Sequence, residues 1–347
     1  MKGILGSLWK RGGAAPAPAG PLTAEGLLAS DLWVDRPDAE GRLAAWEGKG
    51  EVAPAAAAAL RRFVAEGYLT FDAGLPPALF DDIQADVDRA WRERPADLAW
   101  TREGPLRSFA DADPARDRGP SYRIADLHSH SRSARALYLW KPIFEYVERI
   151  LGQPAVATQS LYFEYGSQQP LHRDPVFVQT KPPSALVAAW IALEDIHPES
   201  GPLVYVPGSH RLPYYQLAPG EHRFDHRRHG AAESEAMAAF DREQVARAGL
   251  AAETLTCRRG EVLLWHHSLL HGGSVVADPE RTRKSFVVHF STLADYKLRR
   301  QNLIETVRGE DGRPVERQRI FETETILEED GCRGFDSPLR GYRPPGR

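Results

Sequence analysis

The chain has 347 residues, 42% of them hydrophobic and 27% charged, a composition expected of a soluble globular protein with ample material for a core. A formal net charge of −4 leaves no electrostatic footprint for nucleic acid, and no run approaches the roughly 18 apolar residues that a membrane span requires. Two cysteines, Cys257 and Cys332, lie far apart without CxxC spacing, which argues against a disulfide framework and a zinc–thiolate site.

The opening "MKGILGSLWKRGG" carries too short an apolar patch for a signal peptide, so the expected compartment is cytoplasmic. Residues 12–21, "GGAAPAPAGP", read as a flexible linker behind a short N-terminal tip. The rest of the first 60 residues, with apolar anchors Trp33 and Trp46, is expected to pack as an extension on a main domain spanning 61–300. There "FVAEGYLTF" (63–71) reads as a short β-like run. Pro76 and Pro77 follow, then a helix that places Leu79, Phe80, Ile83, Val87 and Trp91 on one face. A second amphipathic helix is expected over 142–151, opening at Pro142, burying Ile143, Val147, Ile150 and Leu151, and stopping at Gly152.

After Gly152 the pattern turns β-rich: "SLYFEY", "ALVAAWIAL", "PLVYVPG", "GEVLLW" and "SFVVHFS" are short apolar or alternating runs, most bounded by Gly, Pro or Asp. Short strands without long helices between them predict a sandwich or barrel. The interval 211–256 interrupts them with a helix-bearing insertion, which reads as a lid or binding loop. The charged extension 301–347 ends in "SPLRGYRPPGR", where the last residues are expected to be loose.

Within "LHRDPVFV" (171–178), His172 and Asp174 stand two apart; on a strand end that spacing puts both side chains on one face. A third metal ligand must come from elsewhere, and "GEVLLWHHSLLHGG" offers His266, His267 and His271. Two histidines and a carboxylate on one face of an iron leave three positions open, the arrangement of non-haem Fe(II) oxygenases. His271 is preferred, because Gly272 and Gly273 behind it permit a ligand to approach the backbone closely. The bland reading stands beside this one: an isolated H-x-D is commonly a chance pair. His266 and His267 read as structural, one buried with a hydrogen bond and the other exposed. "PLVYVPGSH" reads as turn architecture in which Ser209 and His210 bond backbone groups. "HRFDHRRH" (222–229) reads as a solvated face, or, more sharply, as a site for an anionic substrate group.

Taken in order, "LHRD", "WIALEDIHPESGPLVYVPGSH", "GEVLLWHHSLLHGG" and "RTRKSFVVHF" resemble the phytanoyl-CoA dioxygenase family, over about residues 60 to 295. "FVAEGYLTFDAGLPPALFDDIQADVDRAW" is similar to that family's opening strand and helix. The resemblance implies a mainly β fold with flanking helices, the double-stranded β-helix (jelly roll, cupin-like), and dependence on Fe(II), 2-oxoglutarate and O2. Carried over by residue, it makes His172, Asp174 and His271 the iron ligands. It also places the arginine that binds the far carboxylate of 2-oxoglutarate in "RTRKS". Arg281 and Arg283 share strand parity, and Arg283 is preferred because "RKS" before an apolar strand matches the family pattern. A planar guanidinium suits the task because it grips a carboxylate bidentately and keeps its charge. Ser285 could add a hydroxyl bond, and Trp190 matches a position beside the cosubstrate, a core tryptophan being the equal alternative.

The implied reaction is hydroxylation of an unactivated C–H bond of a small-molecule metabolite, with release of succinate and CO2. Related halogenases replace the carboxylate ligand by a small residue, so Asp174 points to hydroxylation. Desaturation, epimerisation or cyclisation would use the same ligands, and a jelly-roll module binding a small molecule or glycan without turnover is the reading from another class. Phytanoyl-CoA activity does not follow from the family name, and the closing "RPPGR" is not a peroxisomal signal. Oligomeric state is left open.

Overall fold

Alanine-rich helices form first in the chain. The computed structural model describes residues 26–102, 106–178, 180, 182–225, 228–295, 304–308, 314–318 and 325–336; the N-terminal tip, the 12–21 linker, His226, Arg227 and the "SPLRGYRPPGR" ending lie outside them. α1 (Ala39–Gly48) and α2 (Pro54–Glu66) precede β1 (Tyr68–Asp72), and α3 (Pro77–Glu93) follows. The expected β-like run from residue 63 is therefore split: Phe63 to Glu66 close α2, and Gly67 at φ 82° caps it before the strand starts. β2 (Ala99–Thr101), β3 (Arg107–Ser108), α4 (Pro114–Asp117), β4 (Arg123–Ala125), α5 (Arg132–Tyr138) and α6 (Lys141–Leu151) come next. As expected, α6 ends at Gly152, at φ 69°.

The β-rich part comprises β5 (Ala155–Phe163), β6 (Val187–Ala192), β7 (Leu203–Tyr205), the inserted helix α7 (Ala231–Arg247), β8 (Glu253–Thr254), β9 (Glu261–His266), β10 (His271–Gly273) and β11 (Ser285–Thr292). Two hairpins, β12 (Ile304–Arg308) with β13 (Pro314–Gln318) and β14 (Thr325–Glu329) with β15 (Cys332–Asp336), complete the described elements. The large sheet runs β1-β9-β6-β11-β5-β4-β2-β3, with β15 beside β5, and a small sheet runs β10-β7-β8. This is the jelly-roll arrangement.

Strand alternation assigns the two faces of the large sheet. Val187, Ala189, Ile191, Val262, Leu264, Phe286 and Val288 point outward, into one apolar cluster with Leu60 and Phe63 of α2, Ile83 and Val87 of α3, and Val147 and Ile150 of α6. Trp33 is buried in this cluster and donates its indole N–H to Arg149 O of α6 at 2.6 Å. Ala188, Trp190, Ala192, Leu263, Trp265 and Val287 point inward and meet Leu203 and Tyr205 of the small sheet. The register of β11 against β5 slips between His289 and Phe290. Such a bulge re-aims a side chain, and His289 stands at it.

Candidate metal centre

His172 is not on a strand. It forms an isolated antiparallel bridge with His271, exchanging His172 N to His271 O at 2.9 Å and His271 N to His172 O at 3.1 Å. Asp174 opens a short 3-10 turn, Asp174–Val176. Bridge and turn together, rather than strand period alone, put the two side chains side by side. Gly272 and Gly273 do permit a close approach, but of backbone rather than of a ligand. A Cβ on Gly272 would lie 2.6 Å from Gln169 O, and one on Gly273 would lie 2.7 Å from Gln168 N. The glycines let the segment leading to His172 press against β10.

The donor atoms of His172, Asp174 and His271 lie within 4.8 Å of one another, as do those of Asp35, His266 and His267. Hydrogen bonds on the far side of each ring separate the two clusters. His172 Nδ1 lies 2.8 Å from Pro170 O and His271 Nδ1 lies 2.9 Å from Leu269 O. A carbonyl only accepts, so each Nδ1 carries the proton and each Nε2 presents a lone pair. The Gln169 amide at 3.4 Å from His172 Nε2 meets that lone pair. His266 is wired the opposite way: Ser268 N donates to its Nδ1 at 3.1 Å, so its Nε2 carries the proton and donates to Asp35 Oδ1 at 3.0 Å. That ring has no lone pair to offer a metal beside Asp35. Both His266 and His267 are buried, correcting the expectation that one is exposed; each finds a partner in Ser268.

Asp174 is 4% exposed. Trp265 Nε1 donates to its Oδ2 at 2.6 Å, leaving Oδ1 3.5 Å from His271 Nε2. Burial works against ionisation of this carboxyl, yet positive charge on His271, on His289, which also hydrogen-bonds it, or on His172 favours the carboxylate and sets it well below the usual range. Sheltering of the His172 ring and the neighbouring His271 push it down to about 4, so it is a neutral, ligand-competent imidazole at physiological pH.

Arg281 and Arg283 differ sharply. Arg281 is at the surface, paired with Asp278 at 3.0 Å, whereas Arg283 is 2% exposed. Its guanidinium donates to Tyr165 O at 3.3 Å and lies over the rings of Phe163 and Trp190, at 5.5 and 5.7 Å. Burial lowers its pKa to about 10. Arg283 Nε, Ser285 Oγ and Trp190 Nε1 are all buried without a hydrogen-bond partner. A buried guanidinium with an unmet Nε and no ion-pair partner within 4 Å among the described residues, beside the unmet Ser285 Oγ and Trp190 Nε1, is costly and fits a carboxylate placed among them.

One inward-facing row joins the two groups: Arg283 leads into β11, Ser285 and Val287 follow at alternate positions, and His289 ends it with Nε2 3.7 Å from Asp174 Oδ2. Trp265 and His289 were not singled out from the sequence. Both sit at inward parity within "GEVLLWHHSLLHGG" and "RTRKSFVVHF", which was the available signal. Ser209 bonds backbone as expected, accepting from Leu270 N at 2.9 Å. In the 222–229 segment Arg228 is paired with Glu221 at 2.8 Å, so that cation is already occupied.

The model of the family described as phytanoyl-CoA dioxygenase (PhyH) matches residues 63–281, more than half of the chain. Phytanoyl-CoA dioxygenase domain-containing protein 1 of Danio rerio is 26% identical over 180 residues, 47% of this chain and 60% of that protein. Its Mus musculus counterpart is 35% identical over 89 residues, 24% of this chain and 30% of the relative. The peroxisomal phytanoyl-CoA dioxygenase of Homo sapiens is 28% identical over 159 residues, 43% of each chain. The matches thus span less than two thirds of these relatives. Among solved structures, the epimerase SnoN in complex with Fe3+, alpha ketoglutarate and nogalamycin RO aligns at TM-score 0.50 and 17% identity, covering 87% of this chain and all of that one. The carbocyclase SnoK from nogalamycin biosynthesis aligns at TM-score 0.50 and 19% identity, covering 78% and 95%. These two likenesses establish the fold. The chain belongs to the phytanoyl-CoA dioxygenase family of Fe(II)- and 2-oxoglutarate-dependent oxygenases.

Proposed function

We propose that this chain binds Fe(II) through His172, Asp174 and His271, holds 2-oxoglutarate at Arg283 with Ser285 and Trp190, and hydroxylates an unactivated C–H bond of a small molecule. The observation that carries this reading is the pairing, along one face of β11, of a ligand-competent triad with a buried guanidinium surrounded by unmet donors. When bound, the ferrous ion activates O2 while 2-oxoglutarate supplies two electrons and leaves as succinate and CO2.

The protein's own tasks follow from its geometry. Backbone carbonyls of Pro170 and Leu269 fix the ring orientation of His172 and His271. Trp265 keeps one oxygen of Asp174 engaged and turns the other toward the ligand site. Arg283 binds the far carboxylate, whose negative charge offsets the desolvation of the guanidinium. Phe163, Trp190, Leu263 and Val287 form an apolar wall between the sheets, which excludes water from the reacting centre.

Anaerobic titration of metal-free protein with Fe(II) and then 2-oxoglutarate tests the assignment. A visible charge-transfer band of the chelate is expected, absent in His172→Ala and requiring far more 2-oxoglutarate in Arg283→Ala. Folded wild-type protein without the band would overturn the reading and favour a binding module. With turnover established, a product carrying one added oxygen supports hydroxylation, whereas an isomer or a ring-closed product assigns epimerisation or cyclisation.

A further inference from the structure

Arg283 stands just outside β11, whose ladder begins at Ser285, paired with Phe163 of β5 on one side and Ala192 of β6 on the other. Past those partners both neighbouring strands run out into glutamates, Glu164 directly after β5 and Glu194 two residues after β6. Each grips the segment that carries Arg283, and neither pairs with its guanidinium.

Glu194 acts from the β6 side. Leu193 N donates to Lys284 O at 3.0 Å, and the Glu194 carboxylate accepts from Lys284 N at 2.7 Å through Oε1 and from Thr282 Oγ1 at 2.9 Å through Oε2. One carboxylate thus holds the residues before and after Arg283. Glu164 acts from the β5 side. Its carbonyl accepts from Arg283 N at 2.8 Å, and the next carbonyl, Tyr165 O, accepts from the guanidinium. The buried Glu164 carboxylate is itself locked by Arg118, through Nε at 2.9 Å and Nη2 at 2.7 Å, and by the Tyr122 hydroxyl.

The ion pairs of the two glutamates go to Lys284 at 3.9 Å and to Arg118 at 2.7 Å, so the Arg283 cation stays uncommitted. Glu194 is near enough to be the main charge opposing the effect of burial on it. An arginine on an unsupported loop would have to be ordered each time a ligand arrived, at a cost in affinity; locking the residues around it removes that cost.

We infer that Glu194 is a positioning residue for 2-oxoglutarate: by stapling Thr282 to Lys284 it fixes the direction in which Arg283 enters the space between the sheets, against the stop that Glu164 provides. The inference rests on the oxygenase reading above. Glu194 acts through Arg283 and takes no part in the redox step.

The test titrates full-length protein, loaded anaerobically with Fe(II), with 2-oxoglutarate and reads the chelate band; Fe(II) affinity is measured beforehand without the cosubstrate. Glu194→Ala deletes both bonds and is expected to need at least about tenfold more 2-oxoglutarate while Fe(II) affinity stays within about twofold, since a misplacement of about 1 Å in such a constellation costs on the order of a hundredfold. Thr282→Val removes one of the two bonds at nearly constant volume and is expected to weaken 2-oxoglutarate by a smaller factor; it carries the test if Glu194→Ala does not fold. Glu194→Gln can still accept from Lys284 N and donate to the Thr282 hydroxyl, and is expected to recover most of the loss. Equal losses in the Ala and Gln variants would assign the effect to charge and overturn the inference. So would an unchanged titration in Glu194→Ala or Thr282→Val, or Fe(II) affinity falling in step with that of 2-oxoglutarate. A crystal structure of the Glu194→Ala protein is expected to show Arg283 displaced from Tyr165 O, and Arg283 in its wild-type place would overturn the inference independently of the metal. Failure of the oxygenase reading is seen separately, as absence of the chelate band in the wild-type protein.

Discussion

Arg173, the residue between the two proposed ligands of the H-x-D pair, forms a 3.0 Å ion pair with Asp241 of the inserted helix α7. Arg173 is buried, donates to Leu212 O at 2.9 Å and stacks its guanidinium over Tyr214 at 4.4 Å. Burial raises the Asp241 carboxyl above its usual range, with Arg173 opposing. The insertion is thereby tied to the backbone that presents His172 and Asp174. Removing one member of a buried pair strands the other charge. Asp241→Ala is expected to cost about 3 kcal/mol in urea unfolding and to weaken Fe(II) binding. A loss below about 0.5 kcal/mol, the level of an ordinary surface change, with unchanged metal affinity would show that α7 does not support the site.

Trp265→Phe keeps the aromatic bulk between the sheets and deletes the N–H that holds Asp174 Oδ2. Outer partners of this type are worth about 10- to 100-fold in metal affinity. Equilibrium binding of Fe(II) or Co(II) is expected to weaken by that factor, with the far-UV spectrum unchanged. Equal affinity in the variant and wild type would reduce the indole to packing.

The two arginines make a matched pair for the cosubstrate. Arg281→Gln, at the surface and engaged by Asp278, is expected to leave the 2-oxoglutarate titration unchanged. Arg283→Lys keeps a charge but loses the planar fork, and is expected to need at least about tenfold more 2-oxoglutarate, the loss of one charged hydrogen bond. The reverse ranking would place the anchor at Arg281.

Gly272→Ala tests the contact between β10 and the segment before His172. The new Cβ would meet Gln169 O at 2.6 Å and Pro170 C at 3.0 Å, and backbone cannot rotate away as a side chain can. Overpacking of this kind costs about 1–3 kcal/mol. Chemical denaturation should show that loss together with weaker metal binding; full stability and full affinity would mean that the segment moves freely.

His128 gives a pH dependence remote from the metal. It is fully buried, stacked on Tyr138 at 3.7 Å, with Nδ1 2.7 Å from Ser160 Oγ and Nε2 2.7 Å from Phe335 O of β15. Burial lowers its pKa from 6.5 to about 4. The unfolded chain therefore binds the extra proton first as pH falls. The native state is undisturbed above about pH 6.5 and loses stability between there and about pH 4, by about 3 kcal/mol in all. Unfolding free energies across that window should decline less in His128→Gln than in wild type; parallel curves would remove His128 as the cause.

Much of the architecture was written locally. The stripe from Phe80 to Trp91, the Pro142-to-Gly152 helix and the alternation in "ALVAAWIAL" state which side of each element is apolar, because helix and strand periods act over a few residues. The H-x-D pair, His271 and the inward parity of Arg283 and Ser285 came from the same local information and the order of the motifs. Other features were decided between distant segments. Strand period could not explain why His172 and Asp174 converge, since a bridge to His271 and a 3-10 turn do it. Nothing local distinguishes His266 from His271 as a ligand. The difference is that Ser268 offers an N–H to one ring and Leu269 a carbonyl to the other, and that sets which nitrogen keeps its lone pair. Arg281 and Arg283 share parity, and only the packing of the sheets exposes one and buries the other. Arg123, far upstream of the H-x-D pair, faces the inner side of the sheet through the register of β4 with β5. Sequence by itself determined the candidate ligand types, the faces and their order; tertiary structure decided tautomer, burial and convergence, because these depend on hydrogen-bond partners and neighbours that chain folding alone brings together.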